Sequence, residues 1–467
     1  MSLLFKIAFR NILRNRRRSA MTGSAVAAGA LAMLLFGGFT TYIFAGLETN
    51  NVQRIGHLTV FRAGYFLFGA GNPAAYGIDR YGEVMKLIGS DPVLKPMINV
   101  LTPTQSLVGI AGNFSDEVDA SKTFLGVGLI PSDRDRMRLW DQFEIGAARP
   151  PDHRLSDTEE TSGLMGFGLA RILGLCARLG LADCPPLPDA GRPAADITAA
   201  VDPDIVGLAR HETSTEVLSG APQIQLLAAT AGGAPNVVSL SVNGAEPQGV
   251  KELDDNYIAM HLALAQQLVY GRGEHKVTGI VLQLHRSQDL QAARARLVSL
   301  FQEHRLDLDI RDFSELTPFY GQVVRLFSGI FLFIALVMSV IVLFAVVNTM
   351  TMNVMERTNE IGTTRAMGVR RARIRWQFIL EGALIGVAGA TAGAILAVGI
   401  ASLVNGAGLT WVPPGNANPS PLYLYVFGRP GLVIGAWLGL VLIATLAALI
   451  PANRAARLPV VDALRHV

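Results

Sequence analysis

LFSGIFLFIALVMSVIVLFAVVNTM, residues Leu326–Met350, is the stretch that decides the fold. It contains no charged side chain and is longer than the ~20 apolar residues a helix needs to cross a hydrocarbon core of ~30 Å. Three further windows share its character: Ala20–Gly46, Phe378–Val404 and Leu432–Ile450. Across all four the only charged residue is Glu381, near the start of the third. A central charge costs ~3 kcal/mol in a bilayer, so this depletion marks four spanning helices and not the long core helices of a soluble protein. Composition agrees. Half of the 467 residues are apolar and 16% are charged, with a mean hydropathy of +0.36, a balance between a soluble enzyme and an all-membrane transporter. Arg16, Arg17 and Arg18 before the first window resemble the basic head of a signal peptide. The apolar run behind them is nearly twice the ~7 to 15 residues of a signal core, and no small-x-small cleavage site follows Tyr42, so the window reads as a retained anchor.

Working outward, the charges orient these spans. The first nineteen residues carry Lys6, Arg10, Arg14, Arg16, Arg17 and Arg18 and no acid. Residues 351–377 carry Arg357, Arg365, Arg370, Arg371, Arg373 and Arg375 against Glu356 and Glu360, and the tail has Arg454, Arg457 and Arg465 against Asp462. By the positive-inside rule all three segments are cytoplasmic, whereas residues 47–325, with 24 basic side chains against 33 acids, lie outside. The expected organisation is a cytoplasmic amphipathic segment 1–19, spans 20–46, 326–350, 378–404 and 432–450, an external domain 47–325, a cytoplasmic link 351–377, an external loop 405–431 and a cytoplasmic tail 451–467. Such a multi-pass protein of a bacterial inner membrane has both termini in the cytoplasm and the large domain in the periplasm. A sequence pI near 8.9 does not indicate a nucleic-acid partner, because the basicity belongs to the membrane flanks, where it suits anionic lipid, and the large domain is acidic. Leu4, Ala8 and Ile12, with Phe5, Phe9 and Leu13, recur at helical spacing while Lys6, Arg10 and Arg14 take another face, the pattern of an interfacial helix. Trp411, Tyr423 and Tyr425 suit the outer headgroup level.

The external domain alternates short strands with helices, an α+β pattern. Strands are expected at HLTVFRA from His57, KTFLGVGLI from Lys122, VVSLSVNG from Val237 and VTGIVLQL from Val277, and helices over Arg80–Ile88, Leu164–Leu179, Tyr257–Val269 and Leu290–His304. About 280 residues suffice for a substantial core and for division into two subdomains. The Pro-, Ala- and Asp-rich stretch Cys184–Leu218 reads as a surface insertion. The two cysteines, Cys176 and Cys184, are near enough in sequence to pair in an oxidising periplasm; the alternative is that Cys176 fills the apolar side of a helix. Catalytic patterns are missing. GxxxxGK[ST] and Gly-x-Ser-x-Gly do not occur. His211–Glu212 begins a zincin-like run, but Thr215 stands where the second histidine belongs, and the other histidines lack ligand spacing, so no metal site is expected.

MERTNEIGTTRAMGVRRARIRWQFILEGALIG, from Met355, is the most specific text in the chain. Glu356–Gly362 reads as a short amphipathic helix at the membrane surface, closed by a glycine able to take a left-handed cap. The segment resembles the permease subunits of ABC transporters of the FtsX, MacB and LolC/LolE superfamily, as do the tail PANRAARLPVVDALRHV from Pro451 and the layout of one helix, a large external domain and three helices. TFLGVGLIP, GLMGFGLARILGL and ELDDNYIAMHLALAQQLV are more loosely similar to MacB-type periplasmic segments. The resemblance implies a non-catalytic subunit whose link carries a coupling helix docking on a separate cytoplasmic ATPase, with ATP and Mg on that partner and no cofactor on this chain. Glu356, Arg357, Glu360, Ile361, Gly362, Arg365 and Gly368 are the implied contacts. It further implies a second permease chain, identical or not, a periplasmic protein partner, and mechanotransmission: ATPase closure is relayed to the external domain, releasing or exporting a lipoprotein or hydrophobic substrate. Helices rich in Gly, Ala and Leu suit such close packing better than a hydrophilic pathway, with Gly382, Gly386, Gly389 and Gly393 as the close-approach points. An FtsX-like transducer that activates a cell-wall hydrolase is the alternative.

Overall fold

The computed structural model describes residues 2–69, 73–115, 118–146, 148, 155–181, 221–271, 275–411, 420–426, 428 and 430–459. The chain divides into a helical unit, Met1–Leu47 with Pro318–Trp411 and Ser420–Val467, and a mixed unit, Glu48–Thr317. Two helices open the chain, α1 (Ser2–Arg14) and α2 (Arg16–Ile55). On α1, Ala8 is fully buried whereas Phe5, Phe9 and Leu13 are about half exposed. One apolar stripe therefore serves the protein interior and a second is left outside.

The mixed unit then runs β1 (Leu58–Arg62), α3 (Tyr81–Ser90), β2 (Ile98–Ser115), β3 (Val118–Leu129), α4 (Pro131–Arg138), β4 (Ser162–Gly166), α5 (Phe167–Ile172), β5 (Gln223–Ala229), β6 (Pro235–Glu246), α6 (Lys251–Asp254), β7 (Tyr257–His261), α7 (Leu262–Tyr270), β8 (Gly279–Leu284), α8 (Leu290–Glu303), β9 (Leu308–Asp312) and α9 (Phe313–Leu316). The strand order is β3-β7-β4-β6-β5-β2-β8-β1-β9, and β2 also pairs with β3. The first six strands thus close on themselves, and β2, which is 18 residues long, continues into an extension with β8, β1 and β9. Its Ile98–Thr104 end pairs with β8 while Gln105–Ser115 pairs with β3. Two cores result. One lies within the closed strands and under α7, around Phe124, Met165, Leu226, Leu240 and Leu268. The other gathers α3, α8 and the extension around Leu58, Ile88, Leu282 and Leu297. The two expected subdomains are accordingly two cores that share one strand.

Two expected helices are corrected. Leu164–Leu179 begins as β4 before α5, and Tyr257–Val269 is β7 followed by α7. Every residue of β4 is buried, and a short apolar run buried on both sides lacks the alternation that separates strand from helix. In β5 the alternation is complete, polar or exposed at Gln223, Gln225 and Leu227 and buried at Ile224, Leu226 and Ala228, although no strand was expected there.

The last turns of α2 are embedded in this unit. Gln283 donates to the Val52 carbonyl at 3.2 Å, and Gln53 donates to the carbonyls of Arg138 and Trp140. His57 follows at once and is fully buried, edge-on to Trp140. Its Nδ1 accepts from the Leu284 amide at 3.0 Å, so Nε2 carries the proton toward Ser287 Oγ, 3.1 Å away. Burial pushes this imidazole down to about 3.

The chain returns to the helical unit through α10 (Pro318–Glu356), α11 (Thr358–Ala366), α12 (Arg371–Gly406) and α13 (Pro430–Arg457), with a small ladder between β10 (Thr410–Trp411) and β11 (Ser420–Pro421). α2, α10, α12 and α13 are long and apolar enough to cross a membrane. Each outruns its apolar window, because hydropathy registers only the side chains in hydrocarbon while hydrogen bonding continues the helix into polar sequence. α12 lies against two neighbours. A Cβ at Gly382 would stand 2.4 Å from the Ala448 Cβ and one at Gly386 2.8 Å from the Ala444 Cβ, both on α13. At Gly389 and Gly393 it would meet the carbonyls of Gly23 and Ala27 on α2, at 2.7 and 2.3 Å. These are the four close-approach glycines expected from the sequence.

Candidate functional site

The link between α10 and α12 is built by two interruptions. At Arg357 (φ −107°, ψ 16°) the backbone leaves the helix; its amide donates to the Val354 carbonyl at 3.3 Å, and the Thr358 hydroxyl reaches the carbonyls of Val354 and Met355, at 3.1 and 2.8 Å. The second interruption is at Gly368, with φ +91°. Its amide donates to the Arg365 carbonyl and that of Val369 to the Thr364 carbonyl, which is a Schellman closure with its glycine in the left-handed position. The expected helix over Glu356–Gly362 is therefore displaced. It starts one residue after Arg357 and ends at Ala366, and Gly362 is an interior, buried position; the glycine that stops it is Gly368.

One face of α11, at Thr358, Ile361 and Gly362, packs into the helical unit. Ile361 joins Val354, Ile374, Phe378, Ile379, Ala452 and Ala455 in a small core drawn from α10, α11, α12 and α13. Asn359, Glu360, Thr363, Ala366, Met367 and Gly368 are exposed, the Met367 side chain at 78%.

Polar contacts tie the link to every other helix of its unit. Glu356 pairs with Arg18 at the start of α2. Glu360 pairs with Arg14 of α1 at 2.7 Å. Arg365 Nη1 donates to the Leu458 carbonyl at 2.6 Å and to that of Ala456 at 3.4 Å, carbonyls at the C-terminal end of α13 that have no helical donor. Arg357 turns inward: its Nη1 lies 3.1 Å from Glu381 Oε1 of α12, with side-chain exposures of 5% and 2%. Asn11 of α1 completes this cluster, its Nδ2 donating to the same Oε1 at 2.6 Å while its carbonyl accepts from Arg357 Nη2 at 3.4 Å.

The seven candidate residues thus separate. Arg357, Ile361 and Gly362 are buried within this chain. Glu356 and Glu360 are accessible but already engaged by arginines, and Arg365 holds the end of α13. Gly368 shapes the exit. Sequence reasoning missed the exposure of Met367, and Asn11, whose signal was its place between Ala8 and Ile12 on the inner face of α1. Of the two cysteines, Cys176 is an engaged residue of the turn after α5, whereas Cys184 and the expected insertion to Leu218 lie outside the described residues. No group of three or more His, Cys, Asp or Glu side chains able to hold a metal ion occurs among the described residues.

Residues 332–460, which contain this link, match the FtsX-like permease C-terminal family. The ABC transporter permease YtrF of Bacillus subtilis is 37% identical over 136 residues, 28% of this chain and 30% of the relative. A macrolide export ATP-binding/permease protein MacB of Chlorobium luteolum is 26% identical over 218 residues, 45% of this chain and 30% of the relative. The match spans less than a third of either relative's length. The solved periplasmic region of MacB from Actinobacillus actinomycetemcomitans aligns with 57% of this chain and 94% of its own length at 13% identity, with a TM-score of 0.32. The chain carries an FtsX-like permease domain and is homologous to ABC transporter permeases.

Proposed function

We propose that this chain is the membrane permease of an ABC transporter working by mechanotransmission, in which a separate cytoplasmic ATPase, holding ATP and Mg, pushes on α11 and the helices relay the motion to the external domain. The single observation that carries this reading is the convergence on the α10–α11–α12 link, where Glu356, Arg357, Glu360 and Arg365 each contact a different part of the helical unit. Through these contacts a displacement of the segment reaches its neighbours. The exposed face centred on Met367 is the ATPase contact, with Glu360, Arg365 and Gly368 at its margins. The glycine seams support the same reading, since helices in such close contact leave no polar route between them.

The charge partition supports an inner-membrane placement with the link and termini in the cytoplasm and the acidic domain in the periplasm. The cargo class is a lipoprotein or another hydrophobic molecule released on the external side. A second permease chain covers α10, whose apolar window is only 11% buried against 44% for α2. Co-purification tests the contact: Met367→Asp should abolish retention of the ATPase while the permease remains membrane-inserted and monodisperse. Unchanged retention would overturn the assignment of this face.

A further inference from the structure

We propose that α1 is part of the force path, a strut that carries displacement of α11 to the start of α2. This rests on the coupling reading above and goes beyond the interfacial anchor implied by its amphipathic sequence. A helix that only anchors would be held by its apolar contacts, such as the burial of Ala8. Instead α1 supplies both polar ends of a residue to a buried ion pair. The Asn11 side-chain Nδ2 donates to Glu381, and its backbone carbonyl accepts from Arg357, satisfying one group on each ion. Buried pairs rarely outdo apolar side chains in stability, and what they confer is a specified position. One turn on, Arg14 reaches Glu360. The chain then passes Asn15 into α2, whose first turn returns to the link through Arg18 and Glu356. When α11 shifts, Glu360 and Arg357 draw Arg14 and Asn11 with them, and α1 delivers the shift to α2.

The test uses the full chain with Cys176 and Cys184 replaced by serine, reconstituted in nanodiscs with its ATPase. Spin labels at Arg10→Cys on α1 and Thr363→Cys on α11, read on the reconstituted permease before its ATPase is added, should give one narrow distance, because the two helices are held together. Asn11→Ala with Arg14→Ala should broaden it. Labels at Met21→Cys on α2 and Arg454→Cys on α13 read the output: the ATP-driven change should fall at least fivefold in the double variant while ATP turnover and ATPase retention stay within twofold. Asn11→Gln with Arg14→Lys, which keeps an amide and a cation in place, should restore it. A merely structural α1 would lose turnover and displacement together. Full displacement of α2 with α1 released would overturn the strut and leave the coupling reading intact, whereas a wild-type chain that retains no ATPase would overturn the coupling reading and the force path with it.

Discussion

Arg357→Met leaves the Glu381 carboxylate, 2% exposed in the native chain, with Asn11 as its remaining partner among those described above. Removing one partner of a buried pair costs about 3–5 kcal/mol, because the other charge keeps its desolvation penalty without its counter-charge. Glu381→Gln strands the guanidinium and should cost a similar amount. The double variant removes both charges, so the penalties should not add: its loss should be within about 1 kcal/mol of wild type, giving a coupling energy of several kcal/mol. With about 2–4 °C per kcal/mol for a body of some 150–250 residues, each single variant should melt roughly 6–20 °C lower and the double variant within about 4 °C of wild type. Thermal unfolding of the purified full-length chain, followed by intrinsic fluorescence and by loss of monodispersity, measures this. Additive losses, or a single variant that melts with wild type, would refute the claim that these side chains form one buried pair.

Gly393→Ala should destabilise the helical unit by about 1–3 kcal/mol, since its Cβ would press on the Ala27 carbonyl and the Ala30 Cβ. Gly399→Ala on the same helix meets nothing within 4 Å and should be neutral or stabilising by up to about 1 kcal/mol; equal effects in a melting assay would contradict the packing. His57 gives the mixed unit an acid sensitivity. The folded imidazole refuses a proton to about pH 3 while the unfolded one takes it near 6.5, so stability falls by about 1.4 kcal/mol per pH unit as pH drops between those values. Between pH 6.5 and 5, before carboxylates titrate, unfolding curves of wild type and His57→Asn should differ in this slope; parallel pH dependence would exclude it. Thiol titration of the denatured, unreduced chain should find no free thiol if Cys176 and Cys184 pair, and two would refute the bridge. A cysteine at Leu336, on the exposed face of α10, should cross-link two chains in membranes, and a monomer throughout would show that lipid covers that face.

The short helix of the link illustrates what a sequence conceals. Its existence was legible, because the charged run between two apolar windows must lie outside the membrane. Its limits were not, since Gly362 and Gly368 are equally able to stop a helix, and the choice fell to the one not needed on a buried face. Likewise Arg357 and Glu360, three positions apart, are both charged side chains of one short polar run, yet one faces inward and the other outward. Only the packing of α12 and α1 around the break distinguishes them.

Residue types alone marked the four helices long and apolar enough to cross a membrane and the glycines of their seams, because each depends on the side chains of one contiguous segment. The closed strands around β2, the cluster of Asn11, Arg357 and Glu381, and the attachment of α1 to the link were decided by tertiary structure. Asn11 and Glu381 lie 370 positions apart, and nothing local to either records the other. Their meeting is fixed by the packing of α1 against α12, a property of helices packed together that no single segment possesses.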